Sequence, residues 1–188
     1  KGDPIFLSMK KFIESGNPIT DHTLTFNRPH YRMKPYRPSV GSVEWIVDMI
    51  ITDNEAVSVC NALGGLGQDF SITRQTHWEI SVDGDQSSVL KKIDATWELY
   101  NSNKEFISKL ATSENTASFL VRSKEDVLGR AKLESLIKRF EISELTKLKR
   151  GVIWNVTVNS GNFESVLKEI LNTHILFNPL SYECYRIN

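Results

Sequence analysis

Along this chain the apolar positions switch between two spacings, every second residue and every third or fourth, the marks of strands and of amphipathic helices. VEWIVDMIIT (43–52) is a β-branched run and predicts a strand buried along much of its length. NEAVSVCNALGGLG (54–67) predicts a helix capped by Asn54 and ended by Gly64 to Gly67. FSITRQTHWEISV (70–82) alternates on either side of a polar centre, as two strands joined by a tight turn would. In the next segment Val89, Leu90, Ile93, Trp97 and Tyr100 fall on one helical face, and KEFISKL (104–110) is a weaker strand candidate.

The same order then returns. ASFLVRS (117–123) reads as a strand, LGRAKLESLIKRF (128–140) as a helix with Leu133, Leu136, Ile137 and Phe140 on one face, and LKRGVIWNVTV (148–158) as a strand pair or one long strand. FESVLKEILNT (163–173) predicts a helix and SYECYRI (181–187) a closing strand. Residues also match across the two halves. Trp78 aligns with Trp154, and after one inserted residue Ser88-Val89-Leu90-Lys91 aligns with Ser165-Val166-Leu167-Lys168. Leu99 and Asn101 then meet Leu176 and Asn178. A self-match of this kind predicts a duplicated small domain, with both indoles buried at matching positions. The helix and strand order, βαββαβ in the second copy, predicts two-layer α+β units of the ferredoxin-like kind. The expected boundaries are an extended arm over 1–41, a first repeat over 42–113 and a second over 114–188.

The arm differs in composition. Pro29, Pro35 and Pro38 fix φ and remove backbone donors, while LSMKKFIES upstream reads as a short helix stopped by Gly16. Arg28, Arg32, Lys34 and Arg37 alternate with Phe26, Tyr31 and Tyr36. Such a set can contact phosphates and stack on bases; it can equally lie along its own domain or a protein partner. RNA contact is therefore expected, if anywhere, through residues 26–38. The overall charge points nowhere, since 23 basic residues balance 23 acidic ones. No stretch approaches the roughly 18–20 apolar residues of a membrane helix, which predicts a soluble protein. The sequence opens on Lys, which predicts a chain trimmed, processed or excised from something longer. Cys60 and Cys184 form no ligand spacing and suit a reducing compartment.

Candidate chemistry is sparse. GGLG at 64–67 follows a helix instead of preceding one, so it reads as a helix end and not a phosphate loop. His22, His30, His77 and His174 lie far apart without metal-ligand spacing, and read as surface or satisfied core imidazoles. Asn155-Val156-Thr157 is a glycosylation sequon inside a predicted strand and is discounted. No nucleophile, base and acid stand together, so no catalytic residue, metal or cofactor is expected.

LVRSKEDVLGRAKLESLIKRF, then KRGVIWNVTV, then LKEILNTHILFNPLSYECYRI resembles PurS, the small subunit of phosphoribosylformylglycinamidine synthase. Lys124, Glu125, Val127, Leu128, Gly129, Arg150, Gly151, Leu176, Asn178, Pro179, Glu183 and Tyr185 stand at that family's motif positions, over residues 117–188. The family's Asp-Pro-x-Gly before the first helix is reduced here to Leu128-Gly129, and the first repeat keeps traces only, in LYNSNKEF and RQTHWEI. The resemblance implies two tandem PurS-like units extending one antiparallel sheet, an internal pseudo-dimer, and no chemistry within the subunit. It also implies a bridging role among purine-synthesis amidotransferase subunits in the cytoplasm, with Arg150, Gly151, Leu176, Asn178 and Pro179 on the partner surface. The arm carries the other reading: a scaffold protein of an organellar ribosome, in the mitochondrial matrix, held through Arg28, Tyr31, Arg32, Lys34, Tyr36 and Arg37.

Overall fold

The computed structural model describes residues 33–110 and 113–188. A two-residue strand, β1 (Lys34–Pro35), leads into β2 (Val43–Met49), α1 (Asn54–Leu63), β3 (Phe70–Val82), α2 (Gln86–Thr96) and β4 (Glu105–Ser108). The second half runs β5 (Thr116–Ser123), α3 (Val127–Lys138), β6 (Leu145–Val158), α4 (Phe163–Asn172) and β7 (Tyr182–Arg186). The strands build one sheet in the order β1-β7-β5-β6-β3-β2-β4, in which only the β1–β7 pairing is parallel. The class is α+β, with a mixed sheet compatible with ferredoxin-like units.

Each helix starts where an Asp or Asn side chain accepts from amides that the first turn leaves unpaired. Asp53, Asp85, Asp126 and Asn162 hold this place on α1 to α4. The cap of α1 is thus Asp53, one residue before the expected Asn54. The short shared acceptor wins because its Oδ1 reaches both Glu55 N and Ala56 N. Gly64 to Leu66 close α1 in a 3₁₀ turn and Gly67 takes φ +66, so the glycines do end the helix.

β3 and β6 form the middle of the sheet and pair along nearly their whole lengths. FSITRQTHWEISV is therefore one strand of 13 residues and LKRGVIWNVTV part of one of 14. The expected turn inside 70–82 does not form. Each half runs β-α-β-α-β, with one long strand where the expected βαββαβ order has two. The polar centre stays extended because every residue there finds a partner on β6, and Arg74, Gln75 and His77 find side-chain partners as well.

Up to the register shift between Ser81 and Val82, which brings Leu145 inward, even-numbered residues of β3 and β6 face the helices. Trp78, at 3% exposure, packs with Trp45, Val89 and Ile93 of the first half and with Leu136, Leu145 and Leu148 of the second. Its indole N–H donates to Leu99 O at 2.9 Å. Trp154 is buried equally, at 4%, so both indoles are buried as expected. Burial of a side chain of this size stabilises by about 2–3 kcal/mol. Two other expectations fail locally. α2 ends at Thr96, so Trp97 is its C-cap at φ +57 and stands 54% exposed instead of joining the apolar face. Ile137, one residue after Leu136, turns outward.

Candidate functional site

The odd-numbered residues of β3 and β6 point away from the helices and carry most of the polar chemistry. Gln75, His77, Glu79, Ser118 and Asn155 are all buried on this open face. Asn155 Nδ2 donates to Gln75 Oε1 at 3.0 Å, Gln75 Nε2 donates to Asp48 Oδ2 at 3.1 Å, and Ser118 Oγ donates to Asn155 Oδ1 at 2.7 Å. A buried amide left unbonded would cost about 1–3 kcal/mol, and here the bonds run strand to strand.

Next to this row lies a charged cluster. Glu79, 1% exposed, receives Arg122 Nη2 at 2.8 Å and Lys149 Nζ at 3.1 Å. Tyr36 Oη donates at 3.0 Å to Oε2, the oxygen that also receives Arg122, and Ser39 donates through both N and Oγ to Oε1, the oxygen that receives Lys149. Burial by itself would raise the Glu79 carboxyl, but the hydrogen bonds from Ser39, Arg122 and Lys149 outweigh it and hold the group far below the usual carboxylate range. Burial, then the nearby carboxylate of Glu44, pushes the Tyr36 phenol far above its usual value, so it stays a donor. His77 Nδ1 faces Arg122 Nη2 at 3.3 Å, and since arginine only donates, the imidazole carries its proton on Nε2 and gives it to Glu44 at 2.8 Å.

Tyr36 and Ser39 belong to the segment that joins β1, at the β7 edge, to β2 on the far side of β3. This strap must cross the open face, and Glu79 is where it is fastened. Arg122 lies over the Tyr36 ring, 5.2 Å from its centroid, and Tyr36 meets the His77 ring edge-on. Of the expected arm residues, Tyr36 is thus bound to the chain's own sheet. Lys34 and Arg37 are exposed. Arg28, Tyr31 and Arg32 lie outside the described residues, as does the segment expected to form a short upstream helix.

Beside the cluster the β5–β6 ladder ends at Val121↔Val152 and the two strands part. Gly151 sits at the fork. A Cβ there would lie 2.6 Å from Leu120 Cδ1, 3.1 Å from Arg122 Cγ and 3.2 Å from Val121 O, so only glycine lets Arg122 cross toward Glu79. The fork opens into a cavity of about 270 Å³ lined by Arg122, Lys124, Lys149 and Arg150, with Asp126 and Tyr185 among the remaining walls. Burial, then the neighbouring Arg74, draws the Arg150 pKa down.

Of the other expected partner-surface residues, Leu176 and Gly151 are buried, Asn178 is exposed and Pro179 half-buried. Lys124 Nζ donates to Pro179 O and Leu180 O, tying this turn to the entrance of α3. His77 is a satisfied core imidazole, one of the two readings the sequence allowed, while sequence reading missed Glu44, Glu79, Arg122 and Lys149. The available signal was the unbroken run of polar residues at alternate positions, Thr73, Gln75, His77, Glu79 and Ser81. Burial pushes the Cys184 thiol up to about 12, which leaves it unreactive. Among the described residues no helix is long and apolar enough to cross a membrane, and no group of His, Cys, Asp or Glu could hold a metal. The chain matches no protein-family model and no curated protein.

Proposed function

We propose that this chain is a non-catalytic bridging subunit of a multi-protein assembly, a tandem PurS-like body serving the phosphoribosylformylglycinamidine synthase complex. The observation that carries the reading is the register of β3 on β6. Arg74 stands opposite Trp154 and Trp78 opposite Arg150, on either side of the Thr76↔Val152 pair. Residues offset by the spacing of the two indoles therefore exchange places about the middle of the ladder. A subunit family that dimerises by joining sheets would have this arrangement when both copies share one chain. Joining them covers the long strand edges that otherwise invite association.

The docking surface in this reading lies at the second half's α3 entrance. Val127, Leu128, Leu180 and Tyr182 are exposed there on the two segments that Lys124 links. The charged groups of the open face are engaged with one another, which suits a structural role better than proton transfer at a substrate.

A scaffold role in an organellar ribosome is the second reading, favoured by the exposed Lys34 and Arg37 on a strap whose aromatic residue is anchored. Density-gradient sedimentation of native extract, with mass spectrometry of co-migrating proteins, separates the two. Co-migration with glutamine amidotransferase and synthetase subunits supports the first. Co-migration with ribosomal proteins that nuclease abolishes supports the second and overturns the first.

A further inference from the structure

We propose that the fork between β5 and β6 is a binding site for a phosphate group, a feature separate from any protein docking. Four cationic residues, Arg122, Lys124, Lys149 and Arg150, line a cavity of about 270 Å³ whose walls also hold Asp126 and Glu183. Arg122 and Lys149 are already shared with Glu79, and Lys124 reaches two carbonyls. Arg150 differs. Its backbone N–H donates to Asp126 Oδ2 at 3.0 Å, but its guanidinium has no hydrogen-bonded partner among the described residues. Arg122 Nε is likewise buried without an acceptor. Asp126, Glu55 and Glu105 act on Arg150 only through space, and cationic donors drawn partly out of water without a hydrogen-bonded acceptor are costly unless one arrives.

The other half of the molecule shows what is missing. Arg74 holds the place opposite Trp154 that Arg150 holds opposite Trp78. Arg74 has its own anions: Nε meets Asp53 Oδ2 at 2.7 Å and Nη1 pairs with Glu55. Asp53 and Asp126 are both helix caps, and the residue two beyond is Glu55 in one half and Leu128 in the other. Asp126 is turned to Gly129 N and Arg150 N. The second half therefore keeps the arginine and the cap carboxylate, Asp126, has no counterpart of Glu55, and brings Lys124, Lys149 and Arg122 around the gap. Two carboxylates, Asp53 and Glu55, satisfy the single Arg74 guanidinium. Several cations converging from β5, β6 and the α3 entrance suit a tetrahedral group with several oxygens.

The test is titration of isotope-labelled full-length chain with inorganic phosphate at fixed ionic strength, chloride replacing phosphate in the control, read by amide chemical shifts. Saturable shifts at Ser123, Lys124 and Gly151 are expected, absent with chloride. Arg150→Met should weaken them roughly tenfold or more, the loss expected for a charge-assisted hydrogen bond. If that variant does not fold, Lys124→Gln at the exposed rim should weaken them by a smaller factor. A short oligouridylate moving the same resonances would make the natural source a nucleic-acid backbone; phosphate binding with no response to the oligonucleotide would make it a small molecule. No saturable shift, shifts elsewhere, or unchanged binding in a folded Arg150→Met chain overturns the proposal.

Discussion

Arg122 and Glu79 meet at 2.8 Å on the open face of the sheet, joining a strand of the second half to a strand of the first. Glu79 is the hub: Lys149, Tyr36 and Ser39 converge on the same carboxylate. Breaking such a buried pair from one side leaves an uncompensated charge and costs about 3–5 kcal/mol. Arg122→Met should destabilise by about 3 kcal/mol, the lower end because Lys149 and Ser39 still hold Glu79. Adding Glu79→Gln to it should cost less than the sum of the two single changes. Urea unfolding of the four chains checks this, and strict additivity would mean the contact is not formed in solution.

The same carboxylate sets an acid limb. Its folded pKa is depressed, so in the window below the unfolded value of about 4.3 the unfolded chain binds the extra proton. The stabilisation is fully present above that window and is lost as pH falls toward the folded pKa. Glu44 is also held low, chiefly by its bond from His77, so the limb has more than one source. The urea midpoint should fall steadily from about pH 5 to pH 3 in the native chain. Glu79→Gln should show a shallower fall from a lower plateau.

Gly151 is required by the same contact. Gly151→Ala would push its Cβ against Leu120, Arg122 and the Val121 carbonyl, and Leu120 is fully buried and cannot swing clear. Overpacking of this size costs about 1–3 kcal/mol. Thermal unfolding should show the loss, and Gly151→Ala in an Arg122→Met background should cost less, because one of the crowded atoms is then on a more pliable chain.

The first two of these expectations concern residues that pattern reading passed over, and the reason is physical. Element positions follow from side-chain period, and Trp78, Trp154, Leu136 and Ile170 are buried where that period puts them. Strand continuity does not follow from it. Arg74 faces the helices, yet it lies beyond the last β2 partner, Val47↔Thr76, where the cap of α1 supplies Asp53. A polar residue on the buried face looks like a turn until its partner from another element is known. The Glu79 hub gathers residues from β3, β5, β6 and the strap, and no spacing along the chain records a contact that only the strand order creates. Trp97 joined the wrong face because its helix stops one residue earlier, in a left-handed C-cap that an indole seldom occupies.

The docking surface gives the last prediction. Leu180 is 79% exposed, in the turn held by Lys124, and its side chain contributes nothing to the core. Leu180→Asp should therefore leave stability within about 0.5 kcal/mol of the parent. It places a charge among the exposed apolar residues of the proposed docking surface, with Val127, Leu128 and Tyr182, where a partner would have to desolvate it. Gradient sedimentation of cells carrying this variant should return the chain to the monomer position while its thermal midpoint is unchanged. Retention in the heavy fractions would place the partner contact elsewhere, and Lys34→Ala with Arg37→Ala would then be the informative pair, since these two are the exposed basic residues of the strap.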